Sequence, residues 1–469
     1  MNALLKSFDT AGYPSQAFSA DLSLLEARKR GLQRMLQALF RENLLLKEHL
    51  IVEGSIAWLP LWSQQGLLRF DGLQIGRIGD CRLSGPISYY KTGERPRAVP
   101  TASVLLACVA DALAGQTSHD DLRRLIRELE NSMDNDALCL NYRRTWAPQL
   151  MAALGREQSS FIAAVRNATH SNPALLLEQW GTLGHPWHPT YKTKLGLTAD
   201  EVIALSPEFQ PELELPVAAI KSEKAHVAFS EDTGDYRRWF AQTFPQSWRK
   251  WEAALSRLQQ DSQAWLPLPL HPYQAQRLVP QKFAAEIAAG DLLLLPDVSL
   301  AATPTMSFRT VVPEGSATLP HIKLPVSLRL TSVQRTVSPK SAVMGPRLTR
   351  LLTAIVKHEN GFNQTLDIVP EDVGLHYLDP GCDDDRARHL AVLYRANPMR
   401  KRTDELFPVP VGSLFADSPM DGRPIVADLV GLSFGDHPDG AAAFFQRYAA
   451  TVLTATLSAY LLYGIAFEA

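Results

Sequence analysis

The chain has 469 residues, 46% of them hydrophobic and 20% charged, with 47 Lys and Arg against 49 Asp and Glu. That length leaves room for roughly two to four domains and more than one sizeable core. The near-neutral balance argues against a nucleic-acid partner, because such proteins carry a clustered basic excess, although a local basic cluster can still hold a small anion. Cys81, Cys108, Cys139 and Cys382 include no Cys-x-x-Cys pair, and scattered thiols point to a reducing compartment. The opening MNALLKSFDTAGYPSQ has no apolar core of a secretory signal, so a cytoplasmic location is expected.

The first predicted element is a helix. Leu32, Met35, Leu36, Leu39, Phe40 and Leu44 recur at i, i+3, i+4 spacing and form one apolar stripe. Residues 51–90 change character: IAWLPLW, LLRFDG and LQIGRIG are short apolar runs broken by Gly and Asp, which predict strands and turns. Helical patterns return at 102–114, 120–131 and 145–167, the second with Asp120 as its cap. The middle is Pro-rich and mixed, with one amphipathic helical stretch over 235–262 and a buried strand in LLLLP at 292–296. HIKLPVSLRL at 321–330 alternates, with Leu324, Val326, Leu328 and Leu330 on one face and Lys323, Ser327 and Arg329 on the other. Pro325 favours an edge or irregular position. Helix is predicted again at 346–358, an acidic loop at 371–388, and helix from 440 to the end. The stretch TVLTATLSAYLLYGIAFEA at 451–469 approaches a membrane span in length. Its threonines and the lack of a basic flank favour a buried core helix over an anchor.

Three segments carry chemistry. In GHPWHPTYKTKLG (184–196), two His-Pro pairs are followed by Lys192 and Lys194. Each proline fixes its own φ and biases the preceding histidine to an extended backbone, so His185, His188 and Lys192 form a rigid group of donors suited to a carboxylate. The ordinary alternative is a loop with surface lysines and stacked rings; a zinc site lacks a third ligand nearby. In LPLHPYQ, His271 and Gln274 follow an apolar run, and alone they read as structural. The segment 302–336 holds Ser307, Arg309, Thr310, Lys323, Arg329, Ser332 and Arg335. Forked guanidinium donors and a compact ammonium among hydroxyls suit a nucleoside triphosphate; a solvated sheet face is the ordinary alternative. No P-loop, dinucleotide fingerprint, nucleophile elbow or kinase Asp-Phe-Gly is present, so any ATP site must have a different architecture.

Together, GHPWHPTYKTKLG, LHPYQ, the Ser-x-Arg-Thr of SFRT (307–310) and IKLPVSLRLTSVQRT (322–336) resemble the NRPS-independent siderophore synthetases, the family of aerobactin and achromobactin synthetases. The resemblance covers the chain from about 170 onward. It implies an α+β fold shaped as a cupped hand, with a mainly helical thumb with a small β part (1–170), β-rich fingers (171–345) and an incomplete, mainly helical palm (346–469). It implies an enzyme, commonly a homodimer, that uses ATP and Mg²⁺ to adenylate a carboxylate, usually of citrate, and passes the acyl group to an amine, hydroxylamine or alcohol. Carried over by motif, Ser307, Arg309, Thr310, Lys323 and Arg335 would contact the ATP phosphates, with Ser332 where the family often has Asn. His185 and His188 would orient the acid, with Lys192, His271 and Gln274 as further substrate-binding residues. Arg335, Lys323 and His188 would carry the catalytic role. The family pattern continues from a Tyr-Gly pair to a Glu followed by His-x-Gln-Asn. Here Tyr463, Gly464 and Glu468 match, and Glu468 would be a metal ligand. The expectation is a synthetase shortened at this motif, or one half of a split enzyme that binds citrate and ATP without turnover.

Overall fold

The computed structural model describes residues 17–76, 80–113, 118–155, 159–168, 172–231, 234–330, 333–362, 365–379, 381, 383–403 and 405–467. Ser332 and Glu468, expected at the nucleotide and the metal, lie outside them, as does Cys382. Two compact units form: Met1–Trp146 with Gly184–Gly196 and Leu330–Ser332, and Ala147–Leu183 with Leu197–Arg329 and Val333–Ala469.

In the first unit, α1 (Ala17–Arg41) buries Leu32, Met35, Leu36, Leu39 and Phe40 as the stripe requires. The chain reverses after the helix at Asn43, whose φ is 54°, a left-handed stop that asparagine tolerates. Leu44 is therefore 39% exposed, and Leu45 takes the core position instead. The predicted strands follow: β1 (Ile51–Glu53), β2 (Ile56–Leu61), β3 (Gly66–Asp71), β4 (Leu73–Ile75), β5 (Cys81–Leu83), β6 (Ile87–Lys91) and β7 (Arg97–Ala98). Five form an antiparallel sheet in the order β1-β2-β3-β6-β7, and β4 pairs with β5. Alternation sends Ala57, Leu59, Leu61, Leu68, Phe70, Ile87 and Tyr89 into the same core as α1 and α2 (Ala102–Val109). The two helices predicted over 120–131 and 145–167 are instead one long helix, α3 (His119–Leu154), and a separate short one. Ser118, not Asp120, caps α3: its Oγ accepts from the Asp121 amide at 3.1 Å. Segment 184–196 contains only the two-residue β8 (Lys194–Leu195).

The second unit begins with α4 (Phe161–Asn167) and α5 (Pro173–Trp180), then α6 (Ala199–Leu205), β9 (Leu213–Lys221) and β10 (Ala225–Phe229). The helix predicted over 235–262 is divided into α7 (Tyr236–Thr243) and α8 (Pro245–Arg257). Pro245 has no amide to continue the first helix but suits the first turn of the second. Then come β11 (Trp265–Pro269), α9 (Val279–Lys282), α10 (Ala284–Ala288), β12 (Leu292–Leu293), β13 (Ser299–Pro304), β14 (Thr310–Pro313), β15 (His321–Lys323), β16 (Val326–Leu330) and β17 (Val333–Arg335). After α11 (Pro339–His358) follow β18 (Glu371–Tyr377), α12 (Asp384–Ala387), β19 (Ala391–Arg395), α13 (Val426–Phe434) and α14 (Gly440–Tyr463).

A nine-stranded antiparallel sheet runs β10-β18-β19-β15-β14-β13-β9-β11, with β12 paired to β9. The predicted single strand at 321–330 ends at Lys323 and resumes at Val326 beside β17. Pro325 offers no amide to a ladder; Leu324 donates its own to Arg309 O at 2.9 Å. Lys323 and Arg329 thus lie on different strands and do not form one polar face. The predicted acidic loop at 371–388 is in part a strand, β18, between β10 and β19. Register explains the core: Val311, Ile322, Tyr394 and Val373 oppose one another in sequence across β14, β15, β19 and β18, and all four are buried in one cluster with the aromatic side of α7 and α8.

The opposite face is set by two glycines. A Cβ on Gly374 would lie 1.9 Å from Ala342 O, and one on Gly345 would lie 2.4 Å from Glu371 Oε2. Their absence lets α11 press directly on β18, where Thr349 Oγ1 accepts from the Glu371 amide at 2.8 Å.

The predicted buried C-terminal helix is corrected. α14 buries Ala455 and Ala459, while Leu453, Leu457, Tyr460 and Leu461 are exposed. Small residues make its packed side, so the large apolar ones are left outside. Among the described residues no helix is long and apolar enough to cross a membrane.

Candidate anion-activating site

Period-two alternation and strand register put one set of residues on a single face of the large sheet. Thr310 opposes Lys323, and Lys323 opposes Leu393. One rung away, His321 opposes Arg395, which opposes Glu371. Arg309 immediately precedes β14, and Arg335 ends β17. The positive charges crowd one another: burial first, then Arg335 and Arg395, push the Arg309 guanidinium down to about 10. Burial likewise lowers the Lys323 ammonium, partly offset by Glu371, whose Oε1 is 3.9 Å from Nζ. His321, buried beside Arg395, is pushed down to about 4 and is neutral at pH 7. Several cations gathered in one partly dehydrated place form a field that attracts a polyanion.

Ser307, Arg309 and Thr310 sit on a tight turn between β13 and β14. Thr305 donates its amide to Thr310 O at 2.8 Å, Phe308 donates to Thr305 O at 3.0 Å, and Thr310 donates to Ser307 Oγ at 3.1 Å. The turn forces Phe308 to a φ of 66°, a strained conformation for an aromatic residue. Arg309 donates to Thr336 O. Ser307 remains exposed, its hydroxyl 3.3 Å from that of Thr305, whereas Thr310 is buried.

Two further sequence-predicted residues are fully buried. His271 is fully buried, its ring stacked on Phe308 with centroids 5.5 Å apart. Its Nδ1 accepts from the Tyr273 amide at 3.3 Å, and Nε2 has no partner among the described residues. Burial lowers its pKa to about 3, so it is a neutral packing group. Gln274 is also fully buried, donating to His389 O at 3.0 Å and accepting from the Ser327 amide at 3.1 Å. With both ends of its amide engaged, it braces β16 against the segment leading into β19.

His185, His188 and Lys192 belong to the other compact unit. Their segment has little secondary structure and is captured by polar side chains of α3. Ser132 Oγ accepts from the Lys192 amide at 2.9 Å, Asn135 donates to Lys192 O at 2.9 Å, and Asn131 accepts from the Lys194 amide at 2.8 Å. Tyr191 donates to Asp136 Oδ2 at 2.7 Å, and Arg30 pairs with the same oxygen at 2.9 Å. Arg34 lies 4.0 Å from the Tyr191 ring centroid and Arg41 lies 4.5 Å from that of Trp187, cation–π contacts that add to the hold. Lys192 is only 4% exposed, so it is not a surface lysine. Above this anchorage, His185 Nδ1 accepts from the Trp187 and His188 amides at 3.2 and 2.9 Å. His188 Nδ1 accepts from the Thr190 amide at 3.2 Å. Burial and His185 lower the His188 pKa. Both rings therefore carry their proton on Nε2, giving two N–H donors 5.9 Å apart by ring centroid.

Sequence reasoning missed three members. Arg395 and Glu371 are joined at 2.6 Å on the cation face. Glu178 of α5 accepts from the Met306 amide at 3.0 Å and is raised in pKa by burial, so it fixes the turn from its side. Arg395 ends the apolar run AVLYR, and the anchors Asn131, Ser132, Asn135 and Asp136 repeat at helical spacing. Those patterns were the available signals.

The mixed fold is that of the siderophore synthetases. At 20% identity, 92% of the chain superposes on 73% of the ATP-bound aerobactin synthetase IucA of Klebsiella pneumoniae, with a TM-score of 0.71. Residues 173–416 match the IucA / IucC family, and the chain belongs to it, as the sequence resemblance implied. It is 41% identical over 459 residues to the uncharacterized protein y4xN of Sinorhizobium fredii, across 96% of this chain and 72% of that protein. It is 27% identical over 445 residues to staphyloferrin A synthase of Staphylococcus aureus, across 93% of this chain and 72% of the synthase.

Proposed function

We propose that this chain is an ATP-dependent siderophore synthetase. It activates a carboxylate of citrate or a citryl derivative and joins it to an amine, hydroxylamine or alcohol. The observation that carries this reading is the gathering of Arg309, Lys323 and Arg335 in a partly dehydrated place, where burial and then the charges of Arg335 and Arg395 push Arg309 down to about 10, next to the exposed Ser307 hydroxyl. ATP bound to a fold neighbour supports the same ligand class.

In the first step a carboxylate oxygen attacks the α-phosphorus, the P–O bond to pyrophosphate breaks, and the acyl-adenylate forms. Charge accumulates on the departing pyrophosphate, where fixed Arg309, Lys323 and Arg335 lower the barrier. His185 and His188 supply neutral N–H donors to the carboxylates of the acid. In the second step the neutral nucleophile attacks the acyl carbon, AMP leaves with its oxygen, and the nucleophile sheds a proton. Magnesium belongs with the nucleotide. Among the described residues no group of three or more His, Cys, Asp or Glu is placed to hold a metal ion. A cytoplasmic homodimer is part of the same reading.

The test is exchange of labelled pyrophosphate into ATP by the purified chain. Exchange that requires citrate or a related acid supports the proposal; ATP turnover that ignores every carboxylate overturns it.

A further inference from the structure

We propose that Arg395 is a fourth anion-binding cation of this site, and that Glu371 is the internal counter-ion a polyphosphate must displace. The inference rests on the polyphosphate reading above. Antiparallel register puts Arg395 directly opposite His321 on β15, two residues from Lys323, with all three on one sheet face. Arg395 contributes to depressing both Arg309 and Lys323, so its charge lies within their field. Its guanidinium is bound to Glu371 Oε1 at 2.6 Å, and the same oxygen is 3.9 Å from Lys323 Nζ. Glu371 thus stands between two cations and partly neutralises both.

Glu371 is held there independently of either cation. Its amide is bound by Thr349, and the missing Cβ of Gly345 leaves room for its carboxylate. Neighbouring His321 is neutral and adds no charge. The pair is only partly covered, with side-chain exposures of 35% for Arg395 and 21% for Glu371, so solvent and ligand can reach it. A phosphate chain offers several anionic oxygens to a forked guanidinium, where Glu371 offers one carboxylate. Polyphosphate therefore competes with Glu371 for Arg395 and Lys323. The two residues have opposite effects on binding: Arg395 favours it and Glu371 opposes it.

Calorimetric titration of the full chain with inorganic triphosphate and with ATP tests this. Arg395→Gln is expected to weaken triphosphate binding roughly tenfold and to flatten its salt dependence, while Arg395→Lys keeps most of the affinity. Glu371→Gln is expected to tighten binding, by roughly threefold. That gain cannot come from misfolding, which only weakens binding. Lys323→Ala serves as the reference. If it loses binding while Arg395→Gln binds as the parent does, this inference alone is overturned. Weaker binding in Glu371→Gln overturns the counter-ion role. No triphosphate binding by the parent chain overturns the polyphosphate reading itself.

Discussion

Segment 184–196 and the cation-bearing strands hold their chemistry in place by different means. The histidine segment has almost no regular structure of its own. Side chains of α3 capture its backbone at Lys192 and Lys194, and Asp136 ties Tyr191 and Arg30 together. Lys323, Thr310 and Arg395 are instead placed by strand register, so the backbone ladders joining β14, β15, β19 and β18 fix them. The difference teaches where each is vulnerable. A side-chain anchorage concentrates its energy in a few residues, whereas a ladder spreads it and leaves the functional side chains replaceable without structural loss.

The largest expected effect exploits that replaceability. Lys323→Ala lowers citrate-dependent pyrophosphate exchange by roughly a hundredfold to a thousandfold, with a melting temperature close to the parent's. A large melting shift would break the comparison, because it would make Lys323 structural. Next, Asp136→Ala removes the acceptor shared by Tyr191 and Arg30 within a buried cluster. It destabilises the first unit by about 3 kcal/mol, read by denaturant unfolding, with faster hydrogen exchange over 185–194. Gly374→Ala probes the tightest approach of α11 to β18. With Ala342 O in the way, α11 must shift, at about 2 kcal/mol, and a shift smaller than a few tenths would show that the helix has room to yield.

A smaller effect separates the two regions by function. His188→Ala raises the KM for the acid roughly tenfold, the scale of one lost hydrogen bond, while the KM for ATP is unchanged; equal changes in both would contradict the division of labour. The last test is of pH. His271 and His321 have folded pKa values of about 3 and about 4, against roughly 6.5 unfolded. The unfolded chain therefore takes up protons first as pH falls. Stability decreases from about pH 6.5 downward by at most roughly 1.4 kcal/mol per pH unit for each ring. Melting curves at pH 7 and 5 on His321→Asn and the parent measure the share due to that ring.

Where the sequence carried a strict period, the structure could be read from it. The apolar stripe of α1 follows from geometry that any neighbour must respect, whereas the alternation predicted over 321–330 survives only within β16, because Pro325 divides it from β15. The SFRT and His-Pro motifs located the turn and the histidine segment, although not the stacking of His271 on Phe308 or the engagement of both ends of the Gln274 amide. Polar residues with structural duties misled the reading. Glu371 and Asp372 made β18 look like a loop, because a carboxylate that pairs with Arg395 from a neighbouring strand is indistinguishable in sequence from a solvated one. The polar stripe of α3 was hidden for the same reason: Ser132, Asn135 and Asp136 resemble a wet helix face until the segment they bind is placed on them. In α14 the apolar pattern was real, but the small residues, not the large ones, make the contact.

Phe308 shows one further consequence of the tight turn. Its backbone conformation suits glycine, yet its ring covers His271. Glycine at 308 would relieve the strain and uncover the imidazole; any other large side chain would keep the strain and change the stack. No single exchange improves both. The position is trapped between two demands, and a laboratory evolution experiment selecting for stability should find it unable to move until a partner substitution at 271 appears first.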